Sequence, residues 1–241
     1  MTQVHALELI EFILVRPVYL GNIGAMARLM KNFRFRRLTL VEPPKQYKDA
    51  EARKMAVGAF DVLKAARICS TLTEALADIQ LSIGTTCAQQ RAQEVITLPD
   101  VTPLVMQAVG AGNKVAIVLG DERNGLTTAE LNLCHRLVRI PTDAEFPSMN
   151  LASAAAVIAY ELVRDAGVRS SVLADSKIYP TGREEQEFFE QLGALLDSVE
   201  FSRSYNREPV LAELRAIYKR ITPTQREVAL LKGIMHRLNQ A

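Results

Sequence analysis

The sequence predicts an α/β protein: a parallel sheet wrapped by helices, with a small all-α appendage at its C-terminal side. Three observations predict it. Short segments rich in Ile, Val and Leu recur along the chain, and most lack period-two alternation, as strands covered on both faces do. Stretches with helical spacing separate these segments. Beyond Asp165 the strand-like segments stop and amphipathic helical patterns take over.

The strand segments are Ile10–Val15, Leu38–Val41, Leu81–Thr85, Val115–Leu119 and Leu137–Ile140. Ala25–Phe33, Leu72–Ile79 and Leu126–Cys134 carry helical spacing between them. Strands alternating with helices place a ligand site at the strand C-termini. Leu151–Asp165 is apolar on most faces and reads as a buried helix. Gly167–Gly182 mixes Gly, Ser, Pro and Asp without a period and reads as a linker. Three helical patterns follow. Glu184–Val199 puts Phe188, Leu192, Leu195 and Val199 on one stripe; Glu208–Lys219 does the same with Leu211, Leu214 and Tyr218. Thr224–Leu238 aligns Val228, Leu231, Met235 and Leu238, and Thr224 with Glu227 forms a capping-box pattern at its start. The chain thus divides into an α/β domain over 1–166, a linker over 167–182 and a helical domain over 183–241.

Composition narrows the function classes. With 49% hydrophobic and 23% charged residues, the 241-residue chain has the balance of a soluble globular protein. A net charge of +2 gives no global basic excess, so a nucleic-acid partner must be met by local patches. One such asymmetry lies in the last third. Residues 183–200 carry one base against six acids, and residues 201–241 carry eight bases against three acids. The basic part reads either as solvated helix faces or as an RNA-backbone patch. Cys69, Cys87 and Cys134 are far apart with no C-x-x-C, which argues against a disulfide framework or a structural zinc site. Glu8 and Glu11 interrupt the N-terminal apolar stretch, so it is not a secretory signal. The longest strongly apolar run, Leu151 to Ala159, is too short to span a bilayer. A cytoplasmic protein with no membrane and no metal partner is expected.

Three polar segments stand at the ends of predicted strands. The first is Gly21-Asn22-Ile23-Gly24-Ala25-Met26-Ala27-Arg28. Read as a Gly-rich turn entering a helix, it offers backbone amides to an anion, with Arg28 one turn further in. It has neither the G-x-G-x-x-G spacing nor the Gly-Lys-Ser/Thr of a phosphate loop. The second is Gly120-Asp121-Glu122-Arg123-Asn124-Gly125-Leu126, which reads either as a loop with an internal ion pair or as a ligand-contacting loop. The third runs from Pro141-Thr142 to Pro147-Ser148-Met149-Asn150-Leu151. Its prolines stiffen a tight excursion, and Ser148 or Asn150 can cap the next helix.

Taken together and in this order, the three segments resemble the signature motifs of the ribose 2′-O-methyltransferase branch of the SPOUT superfamily: N-x-G-x-x-A-R, G-x-E-x-x-G-L and P-x-x-x-x-x-x-S-[LM]-N-[LV]-[AS]. The resemblance covers roughly residues 8–166. The tail, with Glu185, Phe188-Phe189 and Leu192 and then Leu231-Lys232-Gly233-Ile234, is similar to that of the TrmJ group, which acts on the anticodon loop of tRNA. The resemblance implies a parallel sheet with a C-terminal trefoil knot, a homodimer whose sites span the interface, and S-adenosylmethionine as cofactor. It places the cofactor at Thr85, Thr86, Cys87, Gly120, Ile140, Pro147, Ser148 and Met149, with Ile140 and Met149 as apolar walls. It makes Arg28 the catalytic arginine. Arginine stays protonated in proteins, so a phosphate and oxyanion clamp suits it better than general base. Asn22 is expected to orient Arg28 or cap its helix, Glu122 to hold Arg28 or a neighbouring loop, and Ser148 and Asn150 to position ribose or cofactor. Candidate RNA contacts are Lys31, Arg34, Arg36 and Arg37 near the first motif and Arg215, Lys219 and Arg220 in the tail. Transfer RNA is the first expectation and ribosomal RNA the second. A non-catalytic RNA-binding relative would be expected to lack Arg28 or the cofactor loop.

Overall fold

The computed structural model describes residues 7–87, 94–168, 177–201 and 207–239. Among them, seven parallel strands form one sheet: β1 (Ile10–Val15), β2 (Arg37–Val41), β3 (Arg67–Cys69), β4 (Leu81–Thr85), β5 (Val95–Thr97), β6 (Val115–Leu119) and β7 (Arg136–Arg139). Their spatial order is β3-β2-β1-β6-β4-β7-β5. The helices are α1 (Leu20–Asn32), α2 (Ala50–Ala56), α3 (Phe60–Ala65), α4 (Leu72–Leu76), α5 (Leu98–Gly110), α6 (Thr128–Leu133), α7 (Leu151–Val168), α8 (Gly182–Ser198), α9 (Arg207–Ile221) and α10 (Gln225–Leu238).

The strand order positions the site. β6 inserts between β1 and β4, and β7 between β4 and β5. Because every pairing is parallel, the C-terminal ends of β1, β6, β4 and β7 lie side by side and their outgoing loops share one edge. The middle of the sheet is largely apolar on both faces, with buried Thr39 donating to Glu11 between β2 and β1. Ile10, Phe12 and Leu14 of β1 face one core, where Phe12 meets Phe35 edge-on at 5.1 Å and Met26, Met30, Ile158 and Leu162 close over them. Ile13 and Val15 face the other core, with Val118, Leu72 and Leu131. Each such side chain contributes about 1.5–3 kcal/mol when fully buried.

Several elements differ from the sequence reading. The first helix begins at Leu20, not Ala25, so Gly21 and Gly24 lie inside it rather than in an anion-binding turn. Gly24 serves helix packing: a Cβ there would stand 2.2 Å from the carbonyl oxygen of Ala52, so only glycine lets α2 approach α1 this closely. In the tail, Phe188, Phe189, Tyr218, Val228 and Met235 form the small core. Val199, Leu231 and Leu238, expected on the buried stripes, are 62%, 42% and 58% exposed. Val199 falls in the cap of α8, and the other two lie beside the Val228–Met235 ridge instead of on it. The capping box of Thr224 and Glu227 is formed. Residues 169–176 of the expected linker lie outside the described residues. Its described end is anchored. Asn113 accepts the amide of Tyr179 at 2.9 Å and donates to the carbonyl of Lys177 at 2.8 Å. No helix among the described residues is long and apolar enough to cross a membrane.

Candidate active site

The loop from β6 to α6 is built around two glycines. Gly120 closes against the far end of its own loop, where a Cβ would lie 2.1 Å from the carbonyl carbon of Gly125. Gly125 itself holds φ +68°, a region costly for residues with side chains. Between them, Asp121 Oδ1 accepts the amides of Arg123 and Asn124 at 2.9 and 2.7 Å. The ion pair of this loop reaches outward: Asp121 faces Arg16 at 3.7 Å, not Arg123. Arg16 also binds the carboxylate of Glu130. Burial works upward on the Glu130 carboxyl, but the Arg16 guanidinium and the Thr127 amide outweigh it and hold its pKa below the ordinary value.

Glu122 points the other way. Its Oε2 accepts the amide of Val18 at 2.8 Å and its Oε1 that of Tyr19 at 3.3 Å, at the start of α1, where the helix dipole favours a carboxylate. Asn22 Nδ2 donates to the same Oε1 at 2.8 Å, and Asn22 Oδ1 accepts from Asn150 Nδ2 at 2.9 Å. Asn150 Oδ1 then caps α7 by accepting the amides of Ala152 and Ser153. One polar chain, Glu122–Asn22–Asn150, therefore ties together the three motif segments. Of the alternatives expected for Asn22 and Glu122, neither residue bonds Arg28; Glu122 instead holds the neighbouring segment at Val18 and Tyr19, and Asn22 bridges it to Asn150. Arg28 is exposed on α1, and among the described residues it has no hydrogen-bond or ion-pair partner.

The loops after β4, β6 and β7 enclose a cavity of about 280 Å³. Thr85, Thr86, Cys87, Gly120, Ile140, Pro147, Ser148 and Met149 all line it, with Leu119, Leu126, Val138 and Leu151 as apolar wall. The Thr85 hydroxyl donates to Val118 O at 3.1 Å and the Thr86 amide to Val138 O at 3.0 Å, so the end of β4 is tied to both neighbouring strands. Pro147 has no N–H, and its carbonyl accepts the Thr142 hydroxyl at 3.1 Å, closing the excursion on itself. Two larger cavities, about 440 and 460 Å³, lie at the helical tail. The 280 Å³ cavity is the one at the strand C-termini, where an α/β sheet presents its ligand site.

Residues 10–160 match the family described as SpoU rRNA Methylase, and residues 183–241 match the tRNA methyltransferase TrmJ C-terminal domain. The chain belongs to the SpoU methylase family. A curated relative, the tRNA (cytidine/uridine-2′-O-)-methyltransferase TrmJ of Salmonella typhimurium, is 36% identical over 97% of this chain and 98% of its own. The crystal structure of TrmJ from Z. mobilis ZM4 superposes with a TM-score of 0.81, at 28% identity, over 95% of this chain and 98% of that one. The SpoU methyltransferase AviRb from Streptomyces viridochromogenes, solved in complex with AdoMet, shares the fold at 21% identity and a TM-score of 0.50, over 66% of this chain and 60% of its own. The SpoU fold of this chain is the α/β SPOUT class, a seven-stranded parallel sheet followed by C-terminal helices.

The basic residues of this SpoU member divide by environment. Arg34 and Arg36 are exposed, and Arg37 is exposed with its Nε on the Glu8 carbonyl at 2.7 Å. Lys31 pairs with Asp61 at 2.9 Å and with the Gly58 carbonyl. Arg215 lies 4.2 Å over the Phe189 ring, and Arg220 is exposed. Lys219 corrects the expectation of an RNA contact. It turns inward, donating to the carbonyls of Asn132 and Cys134, and burial lowers its pKa to about 8.

Sequence reasoning missed the residues that dock the tail and the one that ties the loop. Buried His135 lies between Ser82 Oγ at 2.7 Å and Glu185 Oε1 at 2.9 Å, and Arg136 donates to Lys219 O and the Thr222 hydroxyl. These contacts join α8 and α9 to the start of β7 and to β4. The only local signal was a His-Arg pair at the edge of an apolar strand. Arg16, just after β1, carried none.

Proposed function

We propose that this protein transfers the methyl group of S-adenosylmethionine to the ribose 2′-hydroxyl of a cytidine or uridine in the anticodon loop of tRNA. The observation that carries the reading is the convergence of three motif segments, distant in sequence, on one cavity and one polar chain. Full-length similarity to tRNA (cytidine/uridine-2′-O-)-methyltransferases and the TrmJ-type tail support tRNA as the acceptor. Ribosomal RNA enters through the family description.

The cavity suits the cofactor: apolar side chains for the adenine faces, loop backbone for its edges, and a glycine where the backbone must come close. Thr85, Thr86, Cys87, Gly120, Ile140, Pro147, Ser148 and Met149 hold it, in the knot of loops that the class implies. S-adenosylmethionine supplies an electrophilic methyl on a sulfonium. Arg28 clamps the phosphate beside the acceptor ribose and stabilises charge developing on the 2′-oxygen. Having no hydrogen-bond or ion-pair partner among the described residues suits it to that contact. Glu122, Asn22 and Asn150 hold the motif segments in register, and Ser148 faces the ribose from the cavity rim. A homodimer completes the site by bringing Arg28 of one protomer to the cavity of its partner. Residues 1–166 form the catalytic domain, and 183–241, joined through 167–182, the RNA-contacting domain. Arg34, Arg36, Arg37 and Arg220 meet the RNA backbone, in the cytoplasm.

The test is transfer from labelled S-adenosylmethionine to bulk tRNA and, separately, to ribosomal RNA, both from cells lacking the protein. Label in tRNA is the expected result. Label confined to ribosomal RNA would move the substrate and keep the chemistry.

A further inference from the structure

We propose that Arg16 is a positioning residue for the cofactor: it locks the cavity-lining loop 120–126 to the end of β1 and so sets the affinity for S-adenosylmethionine. The inference rests on the functional reading above and extends it to a residue outside the three motifs.

Arg16 follows β1 directly and adopts φ +49°, uncommon for a residue with a side chain. Such a backbone persists where its surroundings hold it. Its amide donates to Val41 O at 2.8 Å, and its guanidinium engages both carboxylate oxygens of Glu130 while standing 3.7 Å from Asp121 Oδ2. These two acids bracket the loop. Asp121 opens it and is buried, with its other oxygen organising the turn at Arg123 and Asn124. Glu130 closes it, as the carboxylate of the capping box that Thr127 begins at α6. One planar cation thus fixes both ends of the loop. The tie is reciprocated: Glu122, next to Asp121, reaches back to the amides of Val18 and Tyr19, just past Arg16. The turn grips the loop through a guanidinium, and the loop grips the turn through a carboxylate. The loop these ties hold, Gly120 to Leu126, walls the cavity and has no slack, since Gly120 already packs against Gly125.

The fork geometry requires arginine, because lysine cannot bind a carboxylate in two parallel hydrogen bonds. The experiment uses the full-length protein, with calorimetric titration of S-adenosylmethionine and transfer kinetics. Arg16→Met is expected to weaken cofactor binding about tenfold, as loss of charge-assisted hydrogen bonds does. Its KM for S-adenosylmethionine rises in parallel, while kcat at saturating cofactor and the KM for RNA stay within about threefold. Arg16→Lys recovers part of the loss. Arg136→Met, at the start of β7 where the tail docks, serves as the control for destabilisation alone: it lowers Tm and leaves cofactor affinity unchanged. Wild-type affinity in a folded Arg16→Met variant would overturn the inference and leave the proposed function standing. A wild-type protein that binds no S-adenosylmethionine would overturn both. Should Arg16→Met not fold, Glu130→Gln carries the test, with a severalfold loss of affinity expected and an unchanged one contradicting the lock.

Discussion

Arg28 and Asn22 share a helix and divide the labour. Asn22 is held on both sides, by Glu122 at 2.8 Å and Asn150 at 2.9 Å, so it fixes geometry. Arg28 is exposed and without a hydrogen-bond or ion-pair partner among the described residues, so its removal should leave the fold intact. Arg28→Ala is expected to keep its Tm and its cofactor affinity while transfer falls about 10²- to 10³-fold, the loss typical of one transition-state contact. Thermal melts and calorimetry beside the activity assay check this, and a variant that unfolds would assign Arg28 a structural part instead. The motif residues themselves were legible because their types and spacing match a known pattern. Their partners were not. Asn150 and Asn22 are 128 positions apart, and nothing local in a single sequence records that their amides meet.

At the scale of elements, the central strands β1, β2, β4, β6 and β7 were legible because each carries buried aliphatic residues in a short segment. β3 and β5 were not. Each is three residues long and sits at a sheet edge, where Arg67, Ile68 and the partly exposed Val95–Thr97 show no apolar pattern. Helix α5 was hidden by Pro103, which usually marks a break. The start of α1 was misplaced for a related reason: glycines signal turns, yet Gly24 is there for the approach of α2. Gly24→Val should therefore cost about 3 kcal/mol or more by overpacking against the Ala52 backbone. Denaturant unfolding measures this, and a loss below about 0.5 kcal/mol would mean α1 and α2 can separate freely.

For the whole molecule, the tail is docked on the strand ends opposite the cavity through His135–Glu185, Arg136 and Lys219. Lys219 is a base whose pKa is lowered to about 8 from its ordinary 10.5, so the folded state resists its proton. Its contribution to stability is fully present above about 10.5 and is lost as pH falls through about 8. Cys134, pushed up to about 12 by burial, acts in the opposite sense above its ordinary 9.0. The clean window is therefore pH 8 to 9. There the wild-type stability should rise relative to Lys219→Met, which keeps Cys134, and equal slopes in urea unfolding would contradict the inward placement of this lysine. Arg220 and Arg226, a second base on α10, are both exposed on the tail, and the double variant Arg220→Gln, Arg226→Gln should weaken tRNA binding and reduce its dependence on log salt by about 2, with cofactor affinity unchanged. An unaltered slope would assign these charges to solvent. The measurement that bears most directly on the whole account is nucleoside mass spectrometry of tRNA from cells lacking the protein, after incubation with it and labelled S-adenosylmethionine. The account predicts label in 2′-O-methylcytidine or 2′-O-methyluridine. Label in a methylated base, or no label together with no cofactor binding by calorimetry, would contradict it.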